Sequence, residues 1–454
     1  MPHISLNPAT SKTLKTYTSW DSHHLAAALK QAHEAQQVWE QTAFAQRAEH
    51  MHRAAMLLHE RVNDYAGIMA AEMGKPVREG RGEAKKCALT CDYYAVHAEH
   101  FLQPEMVQTD AGKSYVSYEP IGVVLGIMPW NFPFFQVIRF AAPALMAGNA
   151  CVLKHASNVP QCALALEQLF QDAGFPPHLF TALIIEASDV AEAIASHHVH
   201  AVTLTGSEPA GREVASHAGR HLKKCVLELG GSDAFIILKD ADLELAADFA
   251  VRSRFQNCGQ SCIAAKRIIP VEEIADEFVS LFIKKTAGLK VGDPTNETTQ
   301  IGPMARLDLR EDLHQQITDS IAQGAQPVLG CKPVHGEGAF YPPSVLDRVT
   351  AKTRAYHEEL FGPVAAVIRA ANEEEAIRIA NDTRFGLGSS IWSRDSEHAE
   401  KLAGKIQAGC SFINGMVRSD PRLPFGGTKA SGFGRELSYH GIREFVNIKT
   451  VWVR

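Results

Sequence analysis

No stretch of this chain approaches the roughly 18 apolar residues that a membrane-spanning helix requires. The most apolar one, IGVVLGIMPWNFPFF, is broken by prolines and by Asn131. Neither sign of charge dominates. The 45 Lys and Arg stand against 51 Asp and Glu, a net charge of -6, which leaves no overall basic footprint for nucleic acid. Cysteine is sparse: nine residues, an odd number without tight spacing, speak against a secreted disulfide scaffold. The opening MPHISLNPATSKTL has no charged region followed by an apolar one, so no signal peptide is expected. Internal repeats and low-complexity linkers are missing too. What is left is an ordinary globular composition, 46% hydrophobic and 21% charged. The expectation is a soluble cytoplasmic protein with no membrane or nucleic-acid partner, holding two or three domains at about 100–200 residues each.

What is present has a readable order. Residues 24–100 are rich in Ala, Leu, Glu, Gln and His, and Leu25, Leu29, Ala32 and Trp39 share one helical face, so a helical layer is expected. Residues 101–120 switch to short alternating stretches around Asp110-Ala111-Gly112, the pattern of a ribbon or hairpin. From 121 to 230, GVVLGIMP, ACVLK, TALII, AVTLT and CVLEL read as strands with helices between them, as a parallel nucleotide-binding sheet needs. A second α/β region runs from about 231 to 430, with AFIIL, KRIIP, AAVIRA and SSIWS as strands and helices over 242–255 and 372–381. The tail FVNIKTVWV is a β-prone closing strand.

FQNCGQSCIAAK, residues 255–266, carries Cys258 and Cys262. A free thiol is by default a small core residue. As a nucleophile toward a carbonyl it needs donors waiting for the oxyanion. MPWNFPFF sets Asn131 on a Pro-flanked turn after a strand, where its amide either serves that purpose or closes an Asx turn. VLELGGS puts Glu228 inside an apolar strand, where a carboxylate is costly unless paired or functional. It reads as a general base or as an edge-strand residue facing water. GSEPAG, residues 206–211, follows a strand and opens a helix, so its free amides suit a pyrophosphate, although only the outer glycines of a GxGxxG pattern are there. The HHVH run at 197–200 reads as a solvated loop, and no metal site is expected.

Seven stretches, in order, carry a resemblance to the aldehyde dehydrogenase superfamily over essentially the whole chain: PWNFP (129–133), VLK (152–154), TGS (205–207), LELGG (227–231), NCGQSC (257–262), EELFGPV (358–364) and PFGGTKASGFGRE (424–436). The resemblance implies an α/β fold in three parts. A Rossmann-type cofactor domain spans 1–100 and 121–230, an α/β catalytic domain 231–430, and a small β oligomerisation element 101–120 with 431–454. It implies that Cys262, not Cys258, attacks an aldehyde and forms a thiohemiacetal. Asn131 and the Cys262 N–H would hold the oxyanion, Glu228 would activate the water that hydrolyses the thioester, and Glu436 would help relay protons. Met128, Pro129, Trp130, Lys154, Gly206, Ser207 and Leu229 match cofactor-binding positions, while Glu359 and Phe361 match those that place the nicotinamide ribose and ring.

Cofactor and substrate follow from departures within the pattern. NAD-preferring relatives often carry a glutamate three residues after the lysine, and this chain has Ser157 there. That removes a charge that would repel a 2′-phosphate, so with Lys154, and with His155 beside it, NADP is expected over NAD. Arg139 matches a tunnel position that is arginine in succinate-semialdehyde dehydrogenases, suited to a carboxylate. A second arginine of that subfamily is here Gln256, and Ser419 would replace part of the anion site. The closing stretch is most similar to the bacterial members of that subfamily. The expected partners are a carboxylate-bearing aldehyde and further copies of the chain, as a homodimer or homotetramer. The alternatives are a broader aldehyde dehydrogenase taking glutarate semialdehyde or neutral aldehydes, and a cofactor-independent thiol hydrolase or acyltransferase.

Overall fold

The computed structural model describes residues 3–334 and 336–454. The helical layer expected over 24–100 consists of Ser22–Trp39, Phe44–Glu60, Val62–Met73 and Val77–Phe101. Asp21 starts the first of these by accepting the His24 N–H at 2.9 Å, one of the donors a helix start leaves unpaired. Its buried Leu25, Leu29, Ala32 and Trp39 keep the helical period.

These helices pack with a six-stranded sheet ordered Gly432–Phe433, Lys224–Glu228, Val199–Thr205, Val123–Met128, Ala150–His155, Phe180–Ala182. Only the two-residue Gly432–Phe433 runs antiparallel. The chain leaves Val123–Met128 first toward Ala150–His155 and later returns to the other side through Val199–Thr205. Such a reversal opens a crevice beyond the carboxyl ends of the strands. PWNFP, Lys154, Gly206 and Glu228 all lie at those ends.

A second sheet is ordered Gln326–Leu329, Ser344–Asp347, Val364–Val367, Ala265–Pro270, Asp233–Ile237, Gly388–Trp392, Cys410–Ile413, parallel except for Gln326–Leu329. Strand side chains alternate between faces, so Ala234 and Ile236 enter one core while Phe235 and Ile237 enter another. Only residues 229–232 separate Lys224–Glu228 from Asp233–Ile237, so the two sheets meet where Glu228 ends its strand. The closing strand Val446–Val453 pairs along its length with Lys113–Pro120, and Glu105–Met106 completes a three-stranded ribbon. Among the described residues no helix is long and apolar enough to cross a membrane.

The structure departs from the sequence expectations in small pieces. His3–Leu6 and Thr13–Tyr17 form an N-terminal hairpin that the sequence reading did not anticipate. TALII shrinks to Phe180–Ala182, an edge strand. Gln326–Leu329, Ser344–Asp347 and Cys410–Ile413 are too short, at four residues each, to show a period. Residues 431–454 do not act as one piece: Gly432–Phe433 joins the first sheet and only Val446–Val453 joins the ribbon.

One buried cation ties the second sheet to the site. Arg254, at the end of Leu243–Phe255, donates to the carbonyls of Val364 at 2.6 Å, Leu360 at 2.9 Å and Gly259 at 3.2 Å, and to that of Gly362. Burial pulls its guanidinium down to about 9, with Glu359 opposing. Arg254→Met strands these carbonyls without a donor and is expected to cost at least about 3 kcal/mol. A lower urea midpoint at unchanged slope is the readout.

Candidate active site

The nucleophile loop is strained and over-determined. Asn257 (φ 52°), Cys258 (φ 55°) and Gly259 (φ 73°) are successive left-handed residues, a conformation that costs about 1–3 kcal/mol at each non-glycine position. The surroundings hold it. Glu79 accepts the Asn257 N–H at 2.7 Å, and the Asn257 amide donates to the carbonyls of Asn131 at 2.7 Å and Gln260 at 2.9 Å. Gln260 Oε1 accepts the Ala305 N–H at 2.9 Å, and Cys258 Sγ accepts that of Gly302 at 3.1 Å. Cys258 is therefore a fully buried packing residue, and the turn presents Cys262, which is partly exposed.

Burial pushes the Cys262 thiol up to about 11, with Lys266 and Arg139 pulling the other way and Glu359 and Asp233 opposing them. It stands protonated at neutral pH. Its backbone N–H donates to nothing among the described residues. The Asn131 amide donates to the Gln260 carbonyl at 3.1 Å, which leaves its second N–H for another acceptor. One backbone and one side-chain donor are the minimum for an oxyanion site.

Lys266, which the sequence reading passed over as the start of a strand, braces this loop. It is 1% exposed, donates to the carbonyls of Ser261 and Cys262 at 2.7 Å, and pairs with Glu359 at 3.0 Å. Glu359 also accepts the Gly231 N–H at 3.2 Å.

Glu228 is buried and neither of its carboxylate oxygens has a hydrogen-bond partner among the described residues. Burial drives its pKa well above the usual carboxylate range, Glu436 pushes it further, and Arg139 and Arg435 oppose. Glu436 is raised as well, by burial, with Arg139 opposing. Arg139 and Glu436 form an ion pair at 2% side-chain exposure each, and Arg139 Nη2 reaches Thr205 Oγ1 at 3.2 Å. Beside the external carboxylate expected at Arg139, the chain supplies an anionic partner of its own, paired at Nε. A guanidinium this deep requires a counter-charge, and Glu436 provides it.

The cofactor-side residues lie along the sheet ends. Ser207 caps Glu208–Arg220 by accepting the Ala210 N–H, and Gly206 donates to the Glu228 carbonyl at 3.0 Å. Met128 ends its strand, Pro129 and Trp130 follow, and the Trp130 and Phe361 rings meet edge to face at 5.8 Å. The Leu229 N–H bonds the Ser431 carbonyl. Lys154 is 8% exposed and has no hydrogen bond or ion pair among the described residues, while Ser157 is exposed beyond it. An unpartnered ammonium, a free hydroxyl and a capped helix start fit a dinucleotide with an extra phosphate. His155 does not join them. It is buried with its ring nitrogens against the Pro133 and Met128 carbonyls, and burial pulls it down to about 4. Neighbours on a strand point to opposite faces, so His155 and Lys154 cannot serve one ligand.

On the substrate side, Ser419 Oγ accepts from Lys86 Nζ at 2.5 Å, a cation the sequence reading did not single out. Gln256 Nε2 folds back onto the Ser253 carbonyl and lines a cavity with Arg78, Arg252 and Met416. No hydrogen bond joins it to Arg139, Lys86 or Ser419 among the described residues.

Gly231 packs directly against the nucleophile: a Cβ there would stand 2.6 Å from the Cys262 carbonyl oxygen. Gly231→Ala is expected to displace the nucleophile and lower kcat about 100-fold, with some loss of thermal stability because the clash is with backbone, and with weaker cofactor binding because Glu359 holds the Gly231 N–H. Steady-state kinetics beside cofactor titration checks this.

Residues 3–451 match the sequence model of the aldehyde dehydrogenase family. A Mycobacterium tuberculosis protein named as an NADP(+) succinate-semialdehyde dehydrogenase is 49% identical over 456 residues, 100% of each chain. A Synechocystis protein named a probable NADP(+) succinate-semialdehyde dehydrogenase is 50% identical over 453 residues, again 100% of each. The crystal structure of succinic semialdehyde dehydrogenase from Streptococcus pyogenes in complex with NADP+ is similar at a TM-score of 0.97 and 39% identity, over 99% of each chain. With this match running through both sheets and the ribbon, the chain belongs to the aldehyde dehydrogenase family.

Proposed function

We propose that this enzyme oxidises succinate semialdehyde to succinate with NADP+, through a thiohemiacetal and then a thioester on Cys262. The observation that carries the reading is a thiol with a free backbone donor packed on Gly231, three residues after Glu228, a buried carboxylate with no hydrogen-bond partner among the described residues. Partly exposed Cys262 loses its thiol proton to water, and the thiolate Sγ then attacks the aldehyde carbon while its own N–H and the Asn131 amide stabilise the oxyanion. When bound, the nicotinamide supplies the hydride acceptor, and Lys154, Ser157, Ser207, Glu359 and Phe361 are the residues that would hold the cofactor. Water then cleaves the thioester. Glu228, neutral at rest, must shed its proton before it can take one from that water, and Arg139 with Glu436 forms the polar route beside it. Splitting the oxidation into two easier steps is the gain of covalent catalysis.

Lys154 and Ser157 support NADP over NAD, because no carboxylate at 157 opposes a 2′-phosphate. We assign the three-stranded ribbon to subunit pairing in a homodimer or homotetramer, since it exposes Met106, Ile448 and Trp452. The six-stranded sheet is assigned to cofactor binding and the seven-stranded one to catalysis. A second reading, a broader aldehyde dehydrogenase that accepts neutral aldehydes, is favoured by the internal pairing of Arg139 with Glu436.

Initial rates with succinate semialdehyde and with butanal, each with NADP and NAD, separate these readings. The expected result is preference for the carboxylated aldehyde and for NADP. Equal efficiency on butanal would favour the broader enzyme. Ser157→Glu is expected to lower kcat/KM for NADP at least about 30-fold, with NAD affected far less.

A further inference from the structure

Helix Val77–Phe101 sends three charged side chains toward the site, at positions 79, 83 and 86, the spacing of one helical face. Two are engaged. Glu79 holds the Asn257 N–H, while Glu83 pairs with Lys75 and accepts the Phe134 and Phe135 N–H groups at 2.9 Å. The third, Lys86, has no ion pair among the described residues. Its ammonium lies 2.5 Å from Ser419 Oγ and 4.0 Å from the centre of the Phe135 ring. Arg139 stands over another part of the same surroundings, 5.9 Å from the Phe135 ring and 4.9 Å from that of Phe425.

Every carboxylate near Lys86 is taken. Glu83 is held by Lys75, Glu436 by Arg139, and Asp420 by Arg422 at 2.7 Å. A largely buried ammonium left with a hydroxyl and a ring face has room for one more anion, and its strongest partner would be a carboxylate. We propose that Lys86, with Ser419, binds the carboxylate of the substrate as a second cation beside Arg139, supplying the charge that Gln256 does not. This rests on the succinate-semialdehyde reading above and names the residue that recognises that substrate.

The assignment carries a pH signature. Burial pulls the Lys86 ammonium down to about 8, Arg139 from helix Phe135–Met146 pulls it further, and Cys87, Glu83 and Asp420 oppose. A lowered pKa means that free Lys86 loses its charge as pH rises through about 8, and with it the attraction for an anion. A neutral aldehyde does not sense that loss.

The test takes the ratio of kcat/KM for succinate semialdehyde to that for butanal within each enzyme, so that loss of folded protein cancels. Lys86→Met is expected to lower the ratio at least about 30-fold. In the wild type the ratio should fall as pH rises from 7 to 10, and in Lys86→Met that fall should vanish. Lys86→Arg, whose charge does not titrate in this range, should keep a ratio above that of Lys86→Met and flat with pH. A wild-type ratio near one would refute the succinate-semialdehyde reading itself. A high wild-type ratio that Lys86→Met retains, or a pH-dependent fall that persists in Lys86→Met, would overturn the assignment of Lys86 alone.

Discussion

Glu228 and Glu436 are buried together beside the Arg139 guanidinium, with Arg435 also close to Glu228, and the site is arranged around the consequence. Two carboxylates so enclosed oppose each other's ionisation. Arg139 pairs with Glu436, and Glu228, without a hydrogen-bond partner among the described residues, is left to hold its proton. A catalytic base held neutral until needed is a group whose pKa has been moved toward its task. The three residues come from a strand end, a helix and the segment after Gly432–Phe433. Pairing of Gly432 with Glu228 in the first sheet is what brings the last of these into place.

Around this cluster the fold spends conformational strain and buried charge to fix one thiol. The left-handed run at Asn257, Cys258 and Gly259 persists because Glu79, Asn131 and the Gly302 amide bind its groups, and the Ala305 amide holds Gln260 just after it. Lys266 and Arg254 do the same for the carbonyls on either side, one reaching Cys262 and Glu359, the other the segment that carries Phe361. Buried cations bound to carbonyls suit this purpose, because each makes several hydrogen bonds at once and none is free to move.

Local signal reached only part of the way. The strand–helix alternation exposed the first sheet, and a carboxylate in an apolar strand or an amide between prolines marked Glu228 and Asn131 as candidates, but their roles and the choice of Cys262 over Cys258 came from the resemblance carried by seven stretches in order. Partnerships between distant segments were not legible. The pairing of Arg139 with Glu436 was missed because nothing near position 139 announces Glu436. Lys86 lies in AKKC on a helix rich in charge, and local pattern cannot show that a loop bearing Ser419 folds over it. His155 was grouped with Lys154 by adjacency, although strand geometry separates them. Lys266 read as a strand end because its burial depends on Glu359, far along the chain.

The most direct test of this account is the protonation state of Glu228 in the resting enzyme. Infrared difference spectroscopy between wild type and Glu228→Gln at neutral pH would resolve it. The account predicts a protonated-carboxyl C=O band in the wild type that the substitution removes, and that shifts when Arg139 or Glu436 is changed. A difference spectrum with only ionised-carboxylate bands for Glu228 would contradict it.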